Sequence, residues 1–223
     1  ELHLYSMSEL SESDRGFLSE RNVITPELET APHAYAIMEE NARYVILVNE
    51  EDHFRIQVIR PGFQPMECFE LADRIDNELN RFVAYAYSDE TGHLAACPSN
   101  AGTGLKVSAL VHLPLLAFNS EIEEQARELA EKRIEVRGLA GKGLETAGQL
   151  YLVANQSSLG VSEVDIIDAV DDAVRKLIQE EDERRDSCLN RREFRLENRI
   201  GRAYGTLKFS RSIGYLEAVE CLS

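Results

Sequence analysis

Tyr44-Val45-Ile46-Leu47-Val48-Asn49-Glu50-Glu51-Asp52-His53-Phe54-Arg55-Ile56-Gln57-Val58 reads as two strands joined by a polar turn. The first five residues form a continuous apolar run of strand length, which predicts a strand buried on both sides. Beyond the turn, Phe54, Ile56 and Val58 alternate with Arg55 and Gln57, the pattern of a half-buried strand. Extension from the turn onward places Glu51, His53, Arg55 and Gln57 on one face, pointing away from the core. A carboxylate and a cation are thereby expected side by side.

Upstream, residues 6–30 read as a polar helix and a turn, with a new start at Thr25-Pro26-Glu27. Downstream, Pro65 opens a helix with Met66, Phe69, Ile75, Leu79 and Phe82 on its apolar stripe. A strand from Val83 to Tyr87 leads through the turn Ser88-Asp89-Glu90-Thr91-Gly92 into Leu94 to Cys97. The Gly-rich loop Cys97-Pro98-Ser99-Asn100-Ala101-Gly102-Thr103-Gly104 comes next. Leu105, Val107, Ala109, Val111 and Leu113 then alternate with Lys106, Ser108 and His112, and residues 119–133 predict an acidic amphipathic helix. Ile134 to Arg137 is a strand with Arg137 on its polar face, and another strand spans Gln149 to Asn155. Ser162, with Asp165 three residues on, caps a long helix whose buried stripe is Ile166, Ile167, Val170, Val174 and Ile178. The mixed-charge stretch Glu180–Arg195 is a solvated helix face or connection, and the rest is helical. Strands and helices interspersed with hairpin turns predict an α+β fold, an antiparallel-dominated sheet with helices packed on one face.

At 223 residues the chain can bury a core as one domain, residues 1–223. A formal charge of -16 argues against a nucleic-acid partner, since phosphate contacts need clustered Lys and Arg. A small anionic ligand needs a local cationic clamp working against that field. Cys68, Cys97, Cys188 and Cys221 show neither metal spacing nor CxxC, which suits a reducing, cytoplasmic setting. No apolar run reaches membrane-spanning length, so no membrane partner is expected.

The acidic turn and the Gly-rich loop, followed by Lys106, His112-Leu113-Pro114 and Val136-Arg137-Gly138, resemble the catalytic core of the ATP:guanidino phosphotransferases. Within that family they look most like the bacterial protein-arginine kinases. The resemblance runs from Glu20 to Ser223 and implies a guanidino kinase catalytic domain, incomplete at both termini. It implies ATP with Mg²⁺, a protein substrate with an exposed arginine, and room for a homodimer.

The chemistry explains the residue types. A guanidinium holds its proton beyond about pH 12, so its phosphorylation needs a group that orients the planar fork and accepts a proton. A carboxylate does both, and the resemblance gives that role to Glu51. It lays Cys97 against the guanidinium. It assigns Arg55, Lys106 and Arg137 to the nucleotide phosphates, where phosphoryl transfer needs positive charge. Val107, Ser108, Ala109 and Leu110 after Lys106, and Gly138, Leu139, Ala140, Gly141 and Lys142 after Arg137, complete the expected nucleotide site. No side chain is assigned to a metal. The loop is not a Walker A motif, because no Gly-Lys-Ser/Thr follows it.

Three positions depart from the family pattern. Lys142 stands where the family carries a second catalytic glutamate, and Glu145 is the nearest carboxylate able to replace it. Lys106 replaces an arginine and loses its bidentate fork. Asn22 replaces a histidine near the adenine. These departures motivate the alternative of a degenerate homologue that binds nucleotide or a partner without catalysis. A small-molecule guanidino kinase is the other alternative.

Overall fold

The computed structural model describes residues 2–25, 28, 31, 33–39, 41, 43–139, 143–191 and 193–223. The start expected at Pro26 and Glu27 therefore lies outside the described residues. The chain divides into two compact units, Glu1–Gly104 with Ser158–Val161, and Leu105–Ser157 with Ser162–Ser223.

The first unit is built on an antiparallel sheet of β1 (Leu2–Ser6), β2 (Tyr35–Glu39), β3 (Tyr44–Val48) and β4 (Phe54–Val58), in that order. The apolar run takes the protected place in β3, where Val45, Ile46 and Leu47 are all buried. Val45 and Leu47 pack with Met7, Leu28, Ala36 and Met38 in one cluster, while Ile46 is buried on the opposite face. The β3–β4 turn closes through Asn49 N–H donating to His53 O at 3.0 Å. Asn49 has φ 58°, a left-handed backbone that asparagine tolerates.

The register corrects the expected facing of β4. Arg55 lies opposite Leu47 and Gln57 opposite Val45, so both side chains share the core face rather than pointing away from it. They are tolerated there because β4 is the edge strand, and their polar ends reach past the core rim. Gln57 donates to Asn22 O, and Asn22 itself has φ 55° in the turn after α1 (Glu12–Glu20).

Helix α2 (Pro65–Leu79) packs on β4. It ends before Phe82, which is 86% exposed and takes no part in an apolar stripe. The strands expected at Val83–Tyr87 and Leu94–Cys97 shrink to a short hairpin, β5 (Tyr87–Ser88) and β6 (Gly92–His93).

The second unit holds β7 (Ser108–His112), β8 (Ile134–Gly138) and β9 (Leu150–Asn155), antiparallel in the order β7-β9-β8. One face of this sheet carries Val111, Ile134, Val136, Tyr151 and Val153, all buried. α3 (Pro114–Phe118) and α4 (Ile122–Glu131) replace the single helix expected over 119–133. α4 packs on β8, and the long α5 (Glu163–Arg191) packs on all three strands. Ser162 Oγ accepts from Asp165 N–H at 3.2 Å and donates to Asp165 Oδ2 at 2.7 Å, the expected cap.

The charged stretch after Glu180 continues as α5 to Arg191, and two of its residues are buried, Glu181 and Cys188. Glu181 accepts from the N–H groups of Leu115 and Leu116 at 2.9 and 3.0 Å, satisfying donors that the first turn of α3 leaves open. α6 (Phe194–Phe209) and α7 (Tyr215–Leu222) complete the unit. Every strand pair among the described residues is antiparallel, and the chain is α+β.

Candidate active site

In the first unit the acidic turn and the Gly-rich loop are tied together. Asp52 accepts from Ala96 N–H at 2.6 Å and from Asn100 Nδ2 at 2.7 Å. The same Asn100 amide reaches Glu51 Oε2 at 3.4 Å. Cys97 Sγ lies 3.0 Å from Ser99 Oγ at the start of the short 3₁₀ turn Pro98–Asn100. The exposed Glu51 carboxylate and the Cys97 thiol thus belong to one chain of hydrogen bonds, running through Ser99 and Asn100.

Arg55 joins it differently from expectation. Its Nη1 pairs with Glu50 Oε1 at 3.0 Å, not with Glu51. The alternation assumed through the turn fails because Asn49 is left-handed and the five turn residues are not extended. The Glu50 side chain is only 5% exposed. It also accepts from Thr25 Oγ1 at 2.6 Å and from Glu51 N–H at 3.2 Å. Glu50, Asp52 and Asn100 are functional candidates that sequence reading passed over. The available signal was the unbroken Glu50-Glu51-Asp52 run, an unusual concentration of like charge in one short turn.

The loop's far end is stapled to the same unit. Ser158 Oγ donates to Ala101 O at 2.8 Å and to Ser99 O at 3.2 Å. Gly102, with φ +94°, packs so closely on the Ser158 and Leu159 backbone that no Cβ fits.

The second unit gathers the other cations. Lys106 precedes β7 instead of lying within it, and its ammonium donates to Asn155 O. Glu135 Oε2 lies 3.9 Å away. Burial pushes the Lys106 pKa down, the nearby Arg137 charge lowers it further, and Glu135 opposes both. No hydrogen bond or ion pair engages the Arg137 guanidinium among the described residues. Lys106 and Arg137 are near enough for one charge to act on the other, with Glu135 beside Lys106, an arrangement with more cations than carboxylates that suits an anion.

Asn155 organises this end and was not singled out by sequence reading. It is 5% exposed; its Oδ1 accepts from Val107 N–H at 2.8 Å and its Nδ2 donates to Leu105 O and Ser157 O. That engagement removes the Val107 N–H as a phosphate donor. Val107 is buried, while Ser108 and Leu110 are exposed on the sheet face that also carries Arg137.

Gly138 ends β8 with its N–H donating to Gly143 O at 2.7 Å. A Cβ at Gly138 would overlap the Glu145 carbonyl, so only glycine lets the 143–148 segment fold back against the strand end. This brings the backbone of Glu145 beside Gly138, with its side chain in an exposed residue. Leu139 N–H pairs with Leu150 O at 3.2 Å. Ala140, Gly141 and Lys142 lie outside the described residues.

The family model described as ATP:guanido phosphotransferase, C-terminal catalytic domain, matches residues 1–184. The chain belongs to the ATP:guanido phosphotransferases. Among relatives in that family, the protein-arginine kinase of Bacillus velezensis is 35% identical over 223 residues, covering 100% of this chain and 61% of that protein. The protein-arginine kinase of a Geobacillus species is 37% identical over 221 residues, covering 99% of this chain and 61% of that protein. The chain therefore spans about three fifths of the length of these relatives. The duplicated taurocyamine kinase from Schistosoma mansoni shares the fold, with a TM-score of 0.71 at 23% identity over 80% of this chain and 26% of that one. An ATP:guanido phosphotransferase fold is what the sequence pattern implied. No helix among the described residues is long and apolar enough to cross a membrane.

Proposed function

We propose that this chain carries the phosphoryl-transfer chemistry of a protein-arginine kinase: ATP and an arginine side chain give phosphoarginine and ADP. The observation that carries the reading is the assembly of Glu51 with the Cys97–Asn100 segment through Asn100 and Asp52. Glu51 orients the acceptor guanidinium and takes its proton as the N–P bond forms and the bond from the γ-phosphorus to the ADP oxygen breaks. Cys97 contacts the guanidinium beside it. Glu145, in the second unit, is a further carboxylate of the kind that pairs with a guanidinium.

Lys106 and Arg137 of the second unit are the cations for nucleotide phosphates, and Arg55 of the first unit, partly engaged by Glu50, is a further cation of that kind. Ser108 and Leu110 flank that site from the exposed face of β7, and Gly138 and Leu139 bound it at the end of β8. The cations suit phosphate oxygens, and Mg²⁺ is most simply carried on the phosphates, where it neutralises charge when bound. No cluster of three metal-binding side chains occurs among the described residues. We place the protein in the cytoplasm, a setting in keeping with its four free cysteines. Exposed Phe194, Tyr204, Phe209 and Tyr215 on α6 and α7 favour a homodimer.

ADP release with an arginine-bearing protein, the same protein with arginines changed to lysine, and free arginine tests this reading. Release that depends on protein arginine is expected. Equal release without an acceptor contradicts it, and preference for free arginine shows a small-molecule kinase instead.

A further inference from the structure

The hairpin β5–β6 carries a built aromatic surface that the phosphoryl-transfer reading does not use. Tyr87 and His93 are directly opposed across the hairpin, so their side chains share one face, and Tyr85 shares it by alternation. The rings meet edge to face: His93 lies 5.3 Å from Tyr87 and 5.9 Å from Tyr85, centroid to centroid. Burial, with the Asp76 carboxylate of α2 beside it, pushes the Tyr85 phenol pKa up to about 12. Tyr87 and His93 are exposed, with 61% of Tyr87 open to solvent.

This surface is fastened to the loop of the candidate site. His93 N–H donates to Gly102 O at 3.0 Å, and Gly102 N–H donates to His93 O at 2.9 Å. Gly92 sits so near the Gly102 carbonyl that a side chain there would collide with it. The rings therefore stand at a fixed place relative to the segment that carries Cys97 and Asn100. Carboxylates accompany them: Asp76 of α2 beside Tyr85, and the exposed Asp89 and Glu90 in the turn of the same hairpin. Electron-rich ring faces with carboxylates behind them attract cations.

We propose that Tyr87 and His93 bind a second basic side chain, arginine or lysine, of the polypeptide whose target arginine meets Glu51. The proposal rests on the protein-arginine kinase reading and deepens it: the enzyme selects arginines that have a basic neighbour. Tyr87 supplies the ring face, His93 buttresses it, and Asp89 and Glu90 supply the field. Free arginine cannot reach both places at once and gains nothing from the surface.

The test uses the intact protein and fluorescent peptides that carry one target arginine, flanked by either lysine or glutamine. Binding is read by anisotropy and phosphorylation separately by ADP release. The lysine-flanked peptide is expected to bind about three- to fivefold more tightly, the range for an exposed cation over a ring. Tyr87→Ala removes that preference, Tyr87→Phe keeps it, and neither changes the response to free arginine. Equal binding of the two peptides by the parent, or a preference that survives Tyr87→Ala, overturns the proposal. A parent that binds with the preference but never phosphorylates supports it, and overturns the kinase reading alone.

Discussion

The Arg55 guanidinium donates to Glu50 Oε1 at 3.0 Å, one residue before the carboxylate assigned to the substrate. Glu50 Oε2 accepts the Glu51 N–H at 3.2 Å, so a nearly buried side chain sets both a cation and the backbone of Glu51, the proposed base. Glu50→Ala frees Arg55 and removes the acceptor for Glu51. Arginine-dependent ADP release should fall about ten- to a hundredfold, the usual cost of a misplaced catalytic group. Thr25→Val, which deletes one of three contacts to Glu50, should cost less. Steady-state kinetics of the two variants decides, and parental activity in Glu50→Ala contradicts the positioning role.

Lys106 gives the site a pH signature. In the proposed site its protonated form is the one that holds phosphate, and burial beside Arg137 brings its pKa below the ordinary value of 10.5. ATP affinity should fall as pH rises through that lowered value, earlier than an ordinary lysine allows. Lys106→Arg, which stays charged, should abolish that alkaline decline. Calorimetric titration of ATP against pH for both proteins measures it.

Gly138 is the position where a single methyl group is decisive. Gly138→Ala forces the Glu145 backbone away from the end of β8 and moves the segment beside Arg137. ATP affinity should drop about tenfold or more, the scale expected when a positioned group is displaced. Unchanged affinity shows that the 143–148 segment does not shape the nucleotide site.

Glu181 is a structural carboxylate. Glu181→Ala leaves the Leu115 and Leu116 N–H groups buried without acceptors, which costs about 1–3 kcal/mol for each such group. The denaturant midpoint should fall accordingly, with Glu181→Gln intermediate because its one oxygen still accepts. A midpoint within error of the parent removes this account of the α3 cap.

Much of this was legible in the residues, for reasons that can be named. The β-branched-rich, strand-length run Tyr44–Val48 favours a strand covered on both faces, and the alternation from Val107 to Leu113 set which side chains of β7 face the core. Strands β1 and β2 escaped notice. Leu2 and Leu4 are exposed and gain their strand state from pairing with β2, which no local pattern encodes. In α5 a stripe taken in steps of four puts Val170, Val174 and Ile178 on one face. The helical period drifts from that spacing, so Leu177 is buried and Ile178 is 42% exposed.

The site followed the same division. Glu51, Cys97, Lys106 and Arg137 stand out only through the family resemblance, since each residue type alone is ordinary on a surface or in a core. The roles of Glu50, Asp52, Asn100 and Asn155 exist only through contacts between segments, between 44 and 50 positions apart in the longer links. Those contacts depend on the packing of each unit and on left-handed turns such as Asn49.

The most direct measurement is the yield of acid-labile, nitrogen-bound phosphate on an arginine-bearing protein, read by phosphorus NMR for the parent and for Glu51→Gln. The parent should build that signal from ATP, and Glu51→Gln, which keeps the shape but cannot take the proton, should leave it at least a hundredfold slower, on the order expected for a lost general base. A signal that accumulates equally fast in Glu51→Gln contradicts the account.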